Sequence, residues 1–409
     1  MKKHIALLMT TLLLASCSKQ TTPETPSKPI RDPRVSSQAL RMPVVTFQVR
    51  GSTIYDLNNQ PFTVRGAGVL YHTFMGMDDG GYGIGDLQHL PEQLTSLKQM
   101  GVNLVRIFVT ASILDPTPLP GTKPTATPYP RLETLKQAVD TINREGMVAL
   151  IANSYSDDPN LNVQVLKVLA STFRGNSLVW LTPMNEPNCA VSEFQTGDPP
   201  HCGDWDVWRT QQNLYIKTIR DQRFVGPLLI NGVAYSQDLT RVSEGLLSDP
   251  NNNLIFGAHR YGDHHVSFTA TEEQEVQQLW ANITQYPVVI DEVGADNGED
   301  FLNSPEWTRG FMEFACQWTQ HQGGDGAIAF TSYTSDGNSL FEDAGYDDGN
   351  EDDIPSPVLP LVLTEWGNTF FEKFVFPVKT GLPCIDVIQP WEPLPGDVIG
   401  PGDPSLPVN

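Results

Sequence analysis

Two glutamates in this chain sit where chemistry could be done. Asn185-Glu186-Pro187 follows the apolar run Leu178-Val179-Trp180-Leu181, and Asp291-Glu292-Val293-Gly294 follows Val288-Val289-Ile290. Each run has the length and composition of a buried strand, so each glutamate is delivered at a strand end. Two carboxyl groups presented together can cleave a glycosidic bond. One protonates the leaving oxygen, while the other attacks the sugar or activates water. Asp291 is the rival to Glu292 for the second role, and strand alternation sends the two side chains to opposite sides.

The elements that must position this pair alternate along the chain. Gln48 to Tyr55 and Gln60 to Val64 read as a hairpin around Asn58-Asn59. Eight short apolar runs follow: Phe62 to Val69, Val102 to Val109, Met147 to Ala152, Leu178 to Pro183, Gly226 to Ile230, Leu254 to Ala258, Pro287 to Ile290 and Ala327 to Thr331. Amphipathic stretches lie between them, among them Leu90 to Met100, Leu132 to Glu145, Val163 to Phe173, Trp205 to Asp221, Val276 to Ile283 and Trp307 to Gln320, with Leu361 to Phe374 after the last run. Uniformly apolar strands alternating with helices predict a parallel sheet covered on both faces. Eight such units close into an α/β fold, the (β/α)₈ TIM barrel, with a short N-terminal hairpin and an extended C-terminal tail. A doubly wound open sheet is the alternative, but no glycine-rich dinucleotide turn follows the first strand.

In a barrel, reacting groups belong at the C-terminal ends of the strands. The polar residues expected there are Arg106 on the second strand, Asn153-Ser154-Tyr155 on the third, Asn185 and Glu186 on the fourth, and His259 and Tyr261 on the sixth. Glu292 on the seventh and Tyr333 beyond the eighth complete the set.

The segments Arg65-Gly66-Ala67-Gly68, Gly101 to Arg106, Asn185-Glu186-Pro187, His259-Arg260-Tyr261 and Asp291 to Gly294 together resemble clan A of the retaining glycoside hydrolases. The resemblance is greatest to family 5, which holds cellulases and mannanases, and it spans the chain from the hairpin to the eighth strand. It implies hydrolysis of a β-linked glucan or mannan without a cofactor, with Glu186 as general acid/base and Glu292 as nucleophile. It also implies that Asn185 bonds the sugar's 2-hydroxyl, that Arg106 and Tyr261 hold the nucleophile, and that His259 lines the same subsite. Arg106 beside Glu292 would favour the charged carboxylate, and that charge would keep Glu186 protonated until the leaving group departs. The chain departs from the family at Val293, where a Phe is usual, and at the third strand, where a His is common. Phe330 and Tyr333 are the aromatics available where the eighth strand usually carries a Trp. Tyr155, Trp205, Trp208 and Tyr235 are further candidates for stacking on sugar, although aromatics also fill cores.

The N-terminus resembles a bacterial lipoprotein signal: basic Met1 to His4, apolar Ile5 to Leu14, then Leu14-Ala15-Ser16-Cys17. Residues 1–16 read as the signal peptide. Residues 17–45 read as a lipidated Cys17 and a flexible Ser-, Thr- and Pro-rich linker, 46–380 as the catalytic barrel, and 381–409 as a Pro-rich tail. The expected location is across the inner membrane, tethered to a bacterial membrane through Cys17, with the barrel a monomer.

Outside the cytoplasm, the four other cysteines, Cys189, Cys202, Cys316 and Cys384, predict two disulfides. Three pairings are possible, and proximity in sequence favours Cys189 with Cys202 and Cys316 with Cys384. The net charge of −22, from 26 basic and 48 acidic residues, argues against nucleic acid and anionic membrane surfaces and fits a neutral ligand. Glu342 to Asp353 holds seven acidic residues and no basic one. It reads as a solvated loop or, since hard cations favour clustered carboxylates, a calcium-binding one. Two other functional readings stand beside the leading one: a non-catalytic carbohydrate-binding lipoprotein on a decayed barrel, and an exo-acting β-glycosidase.

Overall fold

The computed structural model describes residues 45–68, 85–117, 128–154, 159–187, 204–261, 267–280, 283, 285–294, 304–321, 324–329, 340 and 363–384. Two short antiparallel strands come first, β1 (Gln48–Arg50) and β2 (Thr53–Tyr55). Eight parallel strands follow: β3 (Val64–Gly68), β4 (Leu104–Val109), β5 (Val148–Ser154), β6 (Val179–Asn185), β7 (Leu228–Asn231), β8 (Leu254–Arg260), β9 (Val288–Val293) and β10 (Gly324–Ala329). They hydrogen-bond in chain order, and β10 closes the ring by pairing with both β9 and β3. The eight apolar runs are the eight barrel strands.

The helices are α1 (Gly85–Met100), α2 (Pro130–Arg144), α3 (Pro159–Phe173), α4 (Trp205–Asp221), α5 (Ala270–Trp280) and α6 (Pro305–His321). Their apolar stripes, such as Leu135, Val139 and Ile142 on α2, are fully buried against outward-facing strand residues such as Ile107, Ile151 and Leu181. A last helical segment spans 365–380 and contains a π-helical turn, Phe371–Val375. Cys316 on α6 is bonded to Cys384 just beyond that segment, with Cα atoms 5.7 Å apart across 68 residues of chain. None of the described helices is long and apolar enough to cross a membrane.

The expected hairpin around Asn58-Asn59 is present as an antiparallel bridge between Tyr55 and Pro61, and a further hairpin lies within Gln48 to Tyr55. Its turn is Gly51-Ser52, since Arg50 pairs with Thr53, and Gly51 adopts a φ of 61°. Asn58-Asn59 forms a second turn, in which the Asp56 carboxylate accepts from the N–H groups of Asn58 and Gln60, both at 2.8 Å. Both turn signals are real. The run Gln48 to Tyr55 hid the first because a two-residue loop needs only one residue free to take a positive φ.

Inside the barrel, Val64, Leu104, Val148, Leu150, Trp180, Leu229, Ile255, Val289 and Ile328 form a separate apolar cluster with Phe47 and Ile54. The Trp180 ring meets Phe47 edge-on, with centroids 5.3 Å apart, and Phe62 at 5.9 Å. The hairpin region therefore closes the N-terminal end of the barrel and leaves the other end for chemistry.

Candidate active site

The strand pattern that builds this floor also points the next inward residues at the rim. Leu104 faces inward, so Arg106 does too; Leu229 is followed by Asn231, and Ile255 by Gly257 and His259. The two strands that carry the glutamates break this regularity. On β6, Ala152 pairs with Thr182 but Ser154 pairs with Asn185, so β6 has one residue more than its neighbour. That bulge contains Pro183, which has no N–H to leave unpaired. It turns Met184 into the outer core and Asn185 inward. On β9, Ala258 pairs with Ile290 but His259 pairs with Glu292, so Asp291 is the extra residue.

This second bulge corrects the expectation that alternation separates Asp291 from Glu292. Val289 and Asp291 face inward by alternation, and the bulge then brings Glu292 inward as well. Both carboxylates reach Arg106.

Arg106 is 1 % exposed and has three acceptors. Its Nη1 donates to Glu292 Oε2 at 2.6 Å and its Nη2 to Asn185 Oδ1 at 2.6 Å. Nη2 also lies 3.1 Å from Asp291 Oδ2. Beneath, the guanidinium carbon lies 4.4 Å from the centre of the Phe108 ring. The Tyr261 hydroxyl donates to Glu292 Oε1 at 2.7 Å, so each Glu292 oxygen is held by a different donor. Burial, with the charges of Glu292 and Glu186, pushes the Tyr261 phenol well above its ordinary pKa, which keeps it a donor.

Glu186 sits at the turn after β6 with φ 46°, a left-handed conformation costly for a residue with a Cβ. Its Oε1 lies 2.8 Å from His259 Nδ1. Burial and then the Glu292 charge raise the Glu186 pKa, against the hydrogen bond and charge of His259 and the charge of Arg106. Burial alone would lower His259, but Glu292 and Asp291 overcome it and lift the ring to about 10. The ring is therefore an imidazolium at neutral pH, donating on both sides.

Its Nε2 lies 3.3 Å from Asp291 Oδ1. Burial opposes the Asp291 charge, yet His259 and Arg106 hold this carboxyl below its ordinary range. The Asn231 amide donates to both Asp291 oxygens at 3.0 Å.

Glu186, His259 and Glu292 each offer one donor atom within 4.8 Å of the others, a spacing a metal ion could use. The chemistry of the set does not fit one. Both Glu292 oxygens are already held, by Arg106 and Tyr261, and His259 Nδ1 is engaged with Glu186. What the set fits is proton donation beside a fixed carboxylate.

The family model for cellulases, glycosyl hydrolase family 5, matches residues 88–324, more than half of the chain. The chain belongs to glycosyl hydrolase family 5. It is therefore a glycoside hydrolase by family, and the match runs from the first barrel helix into the eighth strand. A sequence search of curated proteins found no match. Among solved structures, an endocellulase from Pyrococcus horikoshii bound to cellotetraose superposes with a TM-score of 0.59 at 15% identity, over 73% of this chain and 94% of the other. A β-glucanase from Saccharophagus degradans, also with cellotetraose, gives 0.58 at 15% identity, over 80% and 91%. The catalytic domain of the major endoglucanase from Xanthomonas campestris gives 0.57 at 14% identity, over 73% and 94%. At such identities the likeness is one of fold.

Of the residues singled out in the sequence, the structure gathers Arg106, Asn185, Glu186, His259, Tyr261 and Glu292 at one place. Trp205 is corrected: it is 7 % exposed, packed edge-on against Trp208 at 5.0 Å, and part of the outer core. Trp208 is likewise buried, its Nε1 donating to the Asn231 carbonyl at 2.9 Å. Tyr235 lies on a left-handed turn after β7, where its N–H donates to the Pro187 carbonyl at 3.3 Å. Asn153 faces the outer layer and braces the β6 bulge by donating to the Pro183 carbonyl at 3.1 Å. Cys17, Tyr155, Cys189, Cys202, Phe330, Tyr333 and the acidic stretch Glu342 to Asp353 lie outside the described residues. Sequence reasoning missed Asn231 and Phe108; a polar residue closing the run Leu228-Leu229-Ile230 was the available signal for Asn231.

Proposed function

We propose that the chain is a retaining, endo-acting β-glucanase, with Glu292 as nucleophile and Glu186 as general acid/base. One observation carries this reading. Carboxyl oxygens of Glu186 and Glu292 lie within 4.8 Å of each other, close to the ~5–5.5 Å of retaining glycosidases and short of the ~6.5–9.5 Å that admits a water in inverting ones.

In the first step a Glu292 oxygen bonds to the anomeric carbon while the bond to the departing sugar breaks. Its oxygen takes the proton of Glu186. The Arg106 and Tyr261 contacts fix the nucleophile's orientation before attack. Forming the ester removes the Glu292 charge that raises Glu186, so the acid becomes a base able to take a proton from water. That water then attacks the anomeric carbon and frees Glu292. The Asn185 carbonyl oxygen is taken by Arg106, so its amide N–H₂ is the end that addresses a sugar hydroxyl. Family membership and the β-glucan ligands of the similar structures support a β-glucan substrate.

Proton NMR of the first products from a soluble β-glucan tests the mechanism. Retention gives the β-anomer first, and an initial α-anomer would overturn it. Product sizing tests the mode: a spread of oligosaccharides is expected, and a single short product from the start would favour exo action. Cys17 remains the proposed lipid tether. Labelled fatty acid should enter the natural chain and not Cys17→Ser.

A further inference from the structure

Within the site, the mechanism leaves one buried charge unused. Asp291 is fully buried beneath the two glutamates, and the proposed reaction gives it no task. Its place is nevertheless built. Two Asn231 hydrogen bonds hold it from β7, and a side chain at Gly257 would strike both its carboxylate and the Asn231 amide. The β9 bulge exists at this residue.

Two routes lead from Asp291 to the reacting groups, through Arg106 to Glu292 or through His259 to Glu186. The contacts favour the second. Arg106 keeps acceptors at 2.6 Å in both Glu292 and Asn185 without Asp291. Among the described residues, His259 Nε2 has Asp291 as its carboxylate partner, at 3.3 Å, and the other group beside it is the Asn231 amide nitrogen, itself a donor, at 3.4 Å. Without Asp291 the ring loses the acceptor that fixes its second N–H.

We propose that Asp291 is a positioning residue for the proton donor, acting through the His259 ring to fix the N–H that His259 turns toward Glu186. The inference rests on the assignment of Glu186 as general acid. Among the described residues, the charged and titratable groups around the ring are Glu186 from the turn after β6, Asp291 and Glu292 from β9, Arg106 from β4, and Tyr261 two residues on from His259 itself. Removing the Asp291 charge weakens the imidazolium, and with it the contact that lowers the proton affinity of Glu186. Glu186 then holds its proton more tightly and becomes a weaker acid.

Leaving groups discriminate the two routes. A phenyl β-cellobioside needs the acid to expel its phenol, whereas a dinitrophenyl β-cellobioside does not. Asp291→Asn should lower kcat/KM on the phenyl substrate by about tenfold or more, as partial loss of acid catalysis. It should leave the dinitrophenyl substrate close to the natural value and move the alkaline limb of the phenyl pH profile upward. In a His259→Asn background, Asp291→Asn should add little, because the two act in series. Asn231→Ala, which keeps the charge but loosens its seat, should show the same split more weakly and covers the case in which Asp291→Asn does not fold. Equal losses on both substrates would assign Asp291 to the Arg106–Glu292 side and overturn the inference while leaving the mechanism intact. No loss on either would also overturn it. A natural chain that turns over neither glycoside would overturn the proposed function and this inference together.

Discussion

Two aspartates at opposite ends of the barrel show how differently one scaffold treats the same side chain. Asp291 at the rim is surrounded by Arg106, His259 and Asn231, and these hold it below the ordinary carboxylate range despite full burial. Asp325 at the floor, 8 % exposed, accepts from the Val288 N–H at 3.2 Å and from the Ile54 backbone. Burial there, against those two backbone bonds, raises it to about 7. Burial opposes charge at both ends; among the described residues, only the rim supplies countercharge. The same contrast runs through the strands. At the floor the inner cluster is apolar, although β10 carries an extra residue against β9 between Gly324 and Ala327. At the rim the inward residues are charged, β6 and β9 each gain a residue, and Glu186 takes a left-handed turn. The lower half of the barrel provides stability, and the upper half holds strain and like charges that function requires.

The largest expected effect tests the rim. Glu292→Gln should reduce turnover to near the detection limit, and Glu186→Gln should cost about 10²–10⁴-fold on substrates with poor leaving groups. Measurable turnover of natural polysaccharide by both variants would end the assignment.

The floor should answer in stability. Trp180→Ala empties the centre of the inner cluster and should cost about 3–5 kcal/mol in denaturant unfolding. A loss under 1 kcal/mol would mean that the hairpin does not depend on this ring to seal the barrel.

The outer layer belongs to neither end and serves as a control. Cys316→Ser should lower unfolding free energy by about 2–4 kcal/mol while leaving kcat and KM unchanged at a temperature where the variant is folded. A kinetic change would show that the last helical segment influences the rim.

The smallest effect sharpens the comparison of aspartates. A carboxyl with a raised folded pKa holds its proton more tightly in the native state. The stability it contributes is full below its unfolded value of 3.8 and is lost as pH rises toward about 7. Asp325→Asn should flatten the fall in melting temperature across that window and be relatively more stable at pH 8, a value above the titration. Asp291 has the opposite sign: its contribution is present above 3.8 and lost only as pH falls through its lowered pKa. Parallel melting curves for Asp325→Asn and the natural chain from pH 4 to 8 would remove Asp325 from the account.

Much of this was legible in the residues. The eight apolar runs, with amphipathic stretches between most of them, predict a strand–helix barrel, because both periodicities are local properties of the chain. Glu186 and Glu292 stand out because a charged residue at the end of a buried strand needs a reason. The direction of Asp291 relative to Glu292 is not legible in β9, for an equally physical reason. Strict alternation fails across a bulge, and a bulge is set by the pairing of β8 with β9, not by β9 alone. Trp205 was open to misreading because an aromatic near a strand end can face ligand or core, and only the packing of α4 against its neighbours separates the two.

The sequence by itself therefore determined the barrel, the two glutamates and the strands that carry them. Tertiary structure decided which way those strands turn at their ends. The added residues in β6 and β9 arise from register between neighbouring strands. That register brings Arg106, His259 and three carboxyl groups, drawn from residues up to 186 positions apart, into hydrogen-bonded contact. No local pattern encodes a charge balance made by four separate strands.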